Sequence, residues 1–205
     1  MSKSKVFCIG RNKTGTTTLE KSLQELGYNM GSQVQGEKLI REWSNNNFAP
    51  IIELAKSADA FQDVPFSYDF TYKYLDTSFP NSKFILSIRD TPEEWYNSLV
   101  RFHSKLISNK PLTYNNLLKV TGLVWEGWLV EAMISLYNTS KEDLYNKEVL
   151  INHYINYNKE IIEYFKDRPN DLLVINLKEE GSYLNFCKFL GKNPIRSNFP
   201  HLNKS

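Results

Sequence analysis

The chain has 205 residues, of which 41% are hydrophobic and 14% aromatic, so it can bury a core as one globular domain. Its formal net charge is only +2 and it carries no long basic run, which excludes a nucleic-acid partner held by bulk charge. No apolar stretch approaches a membrane span and no signal segment precedes the first strand pattern, so we expect a soluble cytoplasmic protein without a membrane partner.

The two cysteines, Cys8 and Cys187, lie far apart in the sequence and in apolar patterns. We predict two buried free thiols and no disulfide, as is usual in a reducing compartment. Neither cysteine has a second ligand at a metal-binding spacing, so the cysteines predict no metal site.

The first predicted elements are a strand, a loop and a helix. Residues 5–9 are apolar-rich and predict a short buried strand, and residues 10–17 form a polar loop that contains two glycines. Leucines recur at helical spacing over residues 19–26, and Gly27 is a stop signal. A loop between a strand and a helix N-terminus is suited to an anion, because backbone N–H groups and the helix dipole both favour negative charge.

The loop differs from that of a nucleotide triphosphatase at its key charge. The two glycines have the spacing of G-x-x-x-x-G-K-[ST], but Thr16 occupies the lysine position and the lysine is Lys13, ahead of Gly15. An ATP or GTP site would therefore lack its main phosphate-binding charge. The alternative is an ordinary strand–turn–helix with a threonine-rich turn.

The rest of the chain alternates between strand and helix patterns. Strands are predicted over residues 58–62, 83–88 and 172–177. Helices are predicted over residues 37–43, 50–58, 69–75, 141–165 and 180–190, from Pro92 onward with Thr91 as N-cap, and within 112–137 with a break near Gly122 or Gly127. The buried side of the helix over 141–165 is predicted to carry Leu144, Ile151, Ile155, Ile161, Ile162 and Phe165. Residues 192–205 are predicted to be irregular.

This alternation predicts an α/β protein with a three-layer P-loop fold: a central, mostly parallel sheet flanked by helices, and a helix-rich second half. We expect a single domain over residues 1–205. Ligands of such sheets bind beyond the carboxyl ends of the strands. Residues 10–17, 62–65 and 89–91 are therefore expected along one edge.

Arg89 follows the predicted strand over residues 83–88. An arginine at the end of a strand offers a rigid fork of donors that suits a phosphate. A salt bridge with Asp90 or Glu94 is the alternative. A nucleotide triphosphatase usually ends such a strand with an aspartate that holds magnesium, so Arg89 favours a site without a metal.

Two segments resemble the sulfotransferases. The sequence KTGTT at residues 13–17 resembles their 5′-phosphosulfate loop, whose pattern is close to [KR]-[ST]-G-T-[ST]. Residues 79–98 resemble their 3′-phosphate segment, with Arg89 and Ser98 at the expected positions, although Thr91 intervenes before the proline. The family's fold agrees with the fold predicted from the alternation.

The resemblance is closest to soluble sulfotransferase-like proteins and extends over residues 5 to 203. It includes the sequences FLG at residues 189–191 and FPHLN at 199–203. The glycine-rich R-K-G segment of better-studied soluble enzymes is missing. Lys192, Arg196 or Lys204 could supply its phosphate contacts.

The resemblance implies a sulfotransferase that moves a sulfuryl group from PAPS (3′-phosphoadenosine 5′-phosphosulfate) to a hydroxyl or amine. The acceptor would be a small molecule or a glycan, and no metal would take part. Lys13 and Asp63 are the implied catalytic residues. The implied cofactor-binding residues are Arg11, Asn12, Lys13, Thr14, Gly15, Thr16, Thr17, Arg89 and Ser98.

Asp63 stands where soluble sulfotransferases carry the histidine of T-H-x-P, which is their general base. An aspartate near its ordinary pKa is a weak base. Partial burial would raise the pKa of Asp63 and improve it as a base, whereas Lys13 would lower that pKa. The alternative is that Asp63 only orients its loop.

Two other functions stay open at this point. One is a P-loop small-molecule kinase with a divergent loop, which Thr16 and Arg89 disfavour. The other is a non-catalytic module that binds a nucleotide or another anion. Neither the acceptor nor the oligomeric state can be read from the sequence.

The other conspicuous side chains have ordinary structural interpretations. His103 is expected on an exposed helix surface and His153 in packing. His201 could cover the adenosine. Trp125 and Trp128 are expected in the core, with a wall of the acceptor pocket as the alternative.

Overall fold

The computed structural model describes residues 4–200, which form four β-strands and ten α-helices. The strands are β1 (Val6–Cys8), β2 (Ala60–Gln62), β3 (Lys83–Ile88) and β4 (Leu172–Asn176). The helices are α1 (Thr16–Glu25), α2 (Gln33–Glu37), α3 (Ile40–Ser44), α4 (Ala49–Ala55), α5 (Thr71–Ser78), α6 (Pro92–Leu106), α7 (Tyr114–Leu118), α8 (Trp128–Tyr137), α9 (Lys147–Tyr164) and α10 (Ser182–Phe189).

The four strands form one parallel sheet in the order β2-β1-β3-β4. Parallel neighbours need a crossover connection, and helices supply it between each pair of successive strands. In the register, Phe7 of β1 lies between Phe61 of β2 and Phe84 of β3. The α/β fold with a parallel sheet flanked by helices is therefore confirmed.

Both faces of β1 are buried, and the alternation of its side chains divides the core into two layers. Phe7 packs on one face against the aromatic rings of Phe61, Phe66, Phe79 and Phe84, with ring centroids 5.6–6.1 Å apart. On the other face Val6 and Cys8 belong to a cluster with α1 and α10. That cluster also contains Leu19, Leu23, Ile85, Ile175, Tyr183, Phe186 and Cys187.

The chain divides into two compact units. One unit runs to Arg89 and resumes at Asn158, and it contains the sheet. The other covers Asp90–Tyr157 and is helical, with Trp95 buried and stacked on Tyr154 at 4.6 Å between ring centroids. The assignment of a single domain to residues 1–205 stays a prediction.

Several local expectations in the helical unit are confirmed. Thr91 caps α6 by accepting the N–H of Glu94 at 3.1 Å, and the helix-rich segment breaks before α8, where Gly127 has a φ of 78°. The expectation for His103 was wrong. Its ring is 4% exposed, and its Nδ1 lies 2.6 Å from the hydroxyl of Tyr145, because a polar ring inside a helical core needs a hydrogen-bond partner.

The long helix differs from its prediction at its start and on its buried side. It begins at Lys147 because the side chain of Asn146 accepts the N–H of Val149 at 3.0 Å, which is the role of an N-cap. Ile155 and Ile162 are 42% and 46% exposed, contrary to expectation. Ile161 and Phe165 are buried as predicted, and Leu150, Tyr154 and Tyr157 complete the buried stripe at helical spacing.

The predicted helix over residues 37–43 is two short helices, α2 and α3. Ser32 starts α2 by accepting the N–H of Gln35.

Both cysteines are buried and free, as predicted. None of the helices in the described part of the chain combines the length and apolar character that crossing a membrane requires.

Candidate functional site

The loop after β1 leaves the sheet in close contact with β3. A Cβ on Gly10 would lie 2.2 Å from Ser87 Oγ and 2.5 Å from the Ser87 carbonyl oxygen. Only glycine can occupy this position without moving the backbone of β3. The close approach sets where the loop begins.

Two residues of the loop have left-handed backbones. Lys13 has a φ of 67°, and Gly15, which directly precedes α1, has a φ of 103°. A Cβ on Gly15 would also lie 2.3 Å from Leu177 Cδ1, directly after β4. Left-handed residues in a short loop are the kind of backbone from which anion-binding concavities are built.

The N-terminus of α1 favours an anion. No side chain caps this helix and its first turn carries no acidic residue. The first N–H groups of a helix have no intrahelical partner, and the helix dipole makes this end positive. The side chains at this end are those of Thr16, which is buried, and Thr17, which is exposed.

Thr14 and Arg11 turn their side chains into the protein. The Thr14 hydroxyl donates to the Arg11 carbonyl at 2.6 Å and lies 2.6 Å from Ser87 Oγ. The buried guanidinium of Arg11 donates to the Ser67 carbonyl at 2.5 Å and forms an ion pair with Asp69. Side chains engaged in this way hold the loop in place, so a contribution of Arg11 to cofactor binding would come from its backbone.

Arg89 is joined to the loop from the end of β3. Its Nε donates to the carbonyl oxygen of Lys13 at 2.6 Å, and the side chain is half-buried. One of the five guanidinium donors is thus used within the protein. The predicted 3′-phosphate arginine and the predicted 5′-phosphate loop are therefore in direct contact.

Asp63 directly follows β2 and lies against the first turn of α1. Its Oδ2 accepts the hydroxyl of Thr16 at 3.3 Å, and its Oδ1 accepts the N–H of Val64 at 3.0 Å. Each carboxylate oxygen has more than one lone pair, so both can accept a further donor. The residue itself has a left-handed backbone, with a φ of 59°, which aspartate tolerates better than most residues.

Burial raises the pKa of Asp63 to about 6. The hydrogen bonds from Thr16 and Val64 and the charge of Lys13 lower the pKa, whereas the nearby charge of Glu37 raises it further. Desolvation is the largest of these effects, because surrounding protein atoms disfavour the charged carboxylate. The expected directions for burial and for Lys13 are thus both present, and the catalytic role itself stays a prediction.

A polar network beside Asp63 was not anticipated from the sequence. Gln62 donates to Gln33 at 2.9 Å and to Glu20 at 3.3 Å, and Gln33 in turn donates to Glu37 at 3.2 Å. The network joins β2, α1 and α2 around the carboxylate. These contacts span 29 to 42 residues where they involve Gln62, so no local pattern could have revealed them.

The sequence reasoning also missed Ser87 and Leu177, which set the shape of the loop. Ser87 lies directly against Gly10, and the side chain of Leu177 lies directly against Gly15. Glycines after β1 were a signal that some backbone or side chain approaches closely. The identity of the approaching residue depends on the strand order, which the sequence does not state.

Most of the predicted site residues are brought together. The segment 11–17, Asp63 and Arg89 lie at the carboxyl edge of the parallel sheet, within the unit that contains it. Ser98 belongs to the helical unit, where it is half-buried on α6. Its assignment to the 3′-phosphate site stays a prediction.

Two of the three C-terminal candidates for phosphate binding lie elsewhere. Arg196 donates to Glu25 at 2.6 Å, and Lys192 lies 5.2 Å from the centre of the Tyr28 ring. Both contacts are at the C-terminal end of α1, which rises about 1.5 Å per residue and so separates them from the loop by more than ~10 Å. Lys204 and His201 are outside the described residues.

Two further observations bear on the chemistry. Across residues 4–200, no group of three or more histidine, cysteine, aspartate or glutamate side chains is arranged to bind a metal ion.

In the helical unit, Trp128 is buried and Trp125 donates to Glu131 at 3.0 Å. The expectation of a core position is confirmed for Trp128.

Comparison with known proteins gave one match at the level of families. A family model described as a sulfotransferase domain matches residues 5–205. No curated protein matches the chain. The matched region includes the loop, Asp63 and Arg89.

Proposed function

The chain belongs to the sulfotransferase domain family, and from this we propose that it transfers a sulfuryl group from PAPS to a hydroxyl or amine of an acceptor. Family membership supports sulfotransfer as the general activity. The donor and the acceptor are part of the proposal. The acceptor class that we propose is a small molecule or a glycan.

The residues at the edge of the sheet fit a donor with two phosphate positions. Gly15 has a left-handed backbone directly before α1, and the first turn of α1 contains no acidic residue. Lys13 and Arg89 supply two positive charges, and a hydrogen bond from Arg89 to the Lys13 carbonyl joins the two residues. The loop would hold the 5′-phosphosulfate, and Arg89 would hold the 3′-phosphate.

The donor supplies the sulfuryl group, and the protein supplies charge neutralisation and positioning. Lys13 would neutralise the negative charge that develops on the bridging oxygen as the sulfur–oxygen bond breaks. The exposed hydroxyl of Thr17 and the backbone N–H groups of residues 15–17 would hold the non-bridging oxygens, because the hydroxyls of Thr14 and Thr16 donate within the protein. Preorganised donors of this kind stabilise a transition state more than a ground state.

Asp63 would accept the proton of the acceptor hydroxyl. Its pKa of about 6 makes it a stronger base than an ordinary aspartate while leaving it mostly ionised at neutral pH. The contact with Thr16 places this carboxylate beside the first residue of α1. The acceptor hydroxyl would therefore be activated next to the group that it attacks.

A single observation carries the proposal. The loop that replaces the nucleotide triphosphatase lysine with Thr16 keeps a cation at Lys13, and the carbonyl of Lys13 is held by Arg89. A kinase would place a lysine after Gly15 and an acidic magnesium ligand after β3, where this chain has Arg89. The two positions observed suit a phosphosulfate donor better.

The test is a thermal-shift titration with 3′-phosphoadenosine 5′-phosphate, the desulfated product, beside ATP with magnesium. A ligand that binds only the folded state raises the melting temperature by mass action. We expect a shift with the bisphosphate that is lost in Arg89→Ala but kept in Arg101→Ala, which alters an exposed arginine of α6.

The other outcomes would reject the proposal. A shift with ATP and magnesium alone would indicate the small-molecule kinase. A shift with the bisphosphate but no turnover of PAPS with any acceptor would indicate a non-catalytic nucleotide-binding module. No shift with either ligand would leave neither nucleotide as the partner of the loop.

We further propose that the protein acts in the cytoplasm. Both cysteines are free, although they lie in the same core cluster of the sheet unit. Free thiols are usual in a reducing compartment. Fractionation of cells that express the full chain would test this placement.

A further inference from the structure

Lys13 has a left-handed backbone conformation that residues other than glycine rarely adopt. Its φ is 67°, and two residues later Gly15 has a φ of 103°. A β-carbon makes the left-handed region unfavourable, so such a residue needs support from its surroundings. The protein therefore has to hold Lys13 in this conformation.

Arg89 provides a support of this kind. Its Nε donates to the Lys13 carbonyl oxygen at 2.6 Å, across 76 residues of sequence. A donor on this carbonyl fixes the plane of the peptide that joins Lys13 to Thr14, because the peptide unit is rigid. The opposite end of that peptide, the Thr14 N–H, donates to the Arg11 carbonyl at 3.3 Å.

Other contacts of the loop hold the residues that follow Lys13. Thr14 is fixed by Ser87 and Arg11, and Gly15 is enclosed by Leu177. Arg89 is the residue seen to hold the carbonyl of Lys13 itself.

We propose that Arg89 is a positioning residue for the 5′-phosphate loop in addition to its proposed contact with the 3′-phosphate. It would act through the backbone of Lys13. The two phosphate subsites would then be coupled, because a single side chain contributes to both. The inference rests on the proposed function, since it takes the donor to carry both phosphates.

The coupling makes a prediction for a ligand that lacks the 3′-phosphate. If Arg89 served only the 3′-phosphate, its removal would not change the affinity for adenosine 5′-phosphate. If Arg89 also positions the loop, that affinity falls as well. The contrast between adenosine 5′-phosphate and 3′-phosphoadenosine 5′-phosphate separates the two roles.

The experiment measures the dissociation constants of both nucleotides by calorimetry for the wild type and for Arg89→Met. We expect Arg89→Met to weaken adenosine 5′-phosphate about tenfold, the scale of one hydrogen bond from a charged donor, and the bisphosphate by more. Arg101→Met is the matched control, because it removes an exposed arginine outside the site. It should leave both constants unchanged.

A second comparison separates backbone support from plain attraction between charges. Lys13→Gly and Lys13→Ala both remove the ammonium group, but only glycine takes a positive φ without strain. Adding Arg89→Met should therefore reduce the affinity for adenosine 5′-phosphate much less in Lys13→Gly than in Lys13→Ala. An arginine that acted by charge alone would cause equal losses in the two backgrounds.

The outcomes distinguish the inference from the proposed function. A wild type that does not bind the bisphosphate overturns the proposed function and the inference with it. A wild type that binds the bisphosphate, combined with an unchanged affinity for adenosine 5′-phosphate in Arg89→Met, overturns the inference alone. Equal losses in the glycine and alanine backgrounds also overturn it. If Arg89→Met does not fold, Arg89→Lys takes its place, because it keeps the positive charge but lacks the planar guanidinium that holds the Lys13 carbonyl. It should weaken adenosine 5′-phosphate as well, and the bisphosphate by no more than that.

Discussion

Asp63 is a carboxylate whose surroundings favour its neutral form. Burial moves its pKa from 3.8 to about 6, and the hydrogen bonds from Thr16 and Val64 only partly oppose this. An aspartate that served only to orient its loop would gain nothing from such a shift. A general base gains, because proton transfer is most effective when the pKa lies near the working pH.

We predict that Asp63→Asn stabilises the protein at neutral pH. The folded state binds the Asp63 proton more tightly than the unfolded chain does, so stability present below pH 4 is lost as the pH rises through about 6. The upper limit of this loss is about 3 kcal/mol, at 1.36 kcal/mol per pKa unit. Asparagine removes the charge and tolerates the left-handed backbone.

Urea denaturation of both proteins at pH 4 and pH 8 would measure the effect. The free energy of unfolding should be higher in Asp63→Asn at pH 8, and the difference should shrink toward pH 4. Asp167→Asn, at an exposed aspartate, controls for a general change in charge. If the difference in unfolding free energy between the two proteins instead grew toward acid pH, the charged Asp63 carboxylate would not be destabilising.

Lys13→Ala should reduce turnover of PAPS by about 100-fold or more, the scale of removing one preorganised transition-state donor. The fold should be preserved, because alanine needs no more room than lysine at this position. The measurement is release of 3′-phosphoadenosine 5′-phosphate in the presence of an acceptor found by screening. Lys21→Ala, at an exposed lysine of α1, is the control. Full activity in Lys13→Ala would reject the assignment of this loop.

Among the elements, the connection between β1 and α1 depends on two glycines for different reasons. Gly10 has no room for a side chain against Ser87 of β3, whereas Gly15 needs both room and a left-handed backbone. The first requirement comes from strand packing and the second from the start of the helix. The position of the connection between β1 and α1 therefore depends on packing against the sheet as much as on the residues of the connection.

Gly10→Ala should destabilise the protein by about 2–3 kcal/mol, the upper part of the usual range for overpacking, because the added Cβ would meet the backbone of β3. The control is Gly27→Ala, where φ is 83° but nothing lies within 4 Å of the added Cβ, so that only backbone strain of about 1 kcal/mol is expected. Urea denaturation of the two variants compares crowding with strain. Equal losses would contradict the close approach of Gly10 to β3.

Periodicity predicted helices well and their buried sides less well. In α9, Ile155 and Ile162 were expected inside but are exposed, while Tyr154 and Tyr157 are buried. Tyr154 is stacked on the buried ring of Trp95. Which of two possible stripes is buried depends on the shape of the opposing surface, and a single helix does not contain that information.

Across the whole molecule, both cysteines are built into the same one of the two core layers of the sheet unit. Cys8 of β1 and Cys187 of α10 are fully buried in the same cluster. Burial raises the pKa of both thiols, so the reactive thiolate is disfavoured as well as inaccessible. Their reactivity should therefore report on opening of this core.

Both cysteines should react with a thiol reagent roughly a thousandfold more slowly in the folded protein than in urea, in line with the small unfolded fraction of a stable domain. They should also become reactive together as urea is added, because they share one cluster. Mass spectrometry of the labelled protein would count the modified thiols. Rapid labelling of one thiol without urea would show that α10 opens by itself.

Local spacing, capping side chains and the periodicity of apolar residues were enough to predict the parallel α/β fold and Thr91 as a helix cap. The folded protein was needed to show that Arg11 pairs with Asp69, that Arg89 holds Lys13, and that burial and Thr16 shift the pKa of Asp63 in opposite directions. Each of these depends on contacts between residues that are tens of positions apart, which follow from strand order. The residue types that carry the chemistry are thus local information, whereas their partners and their protonation are properties of the packed molecule.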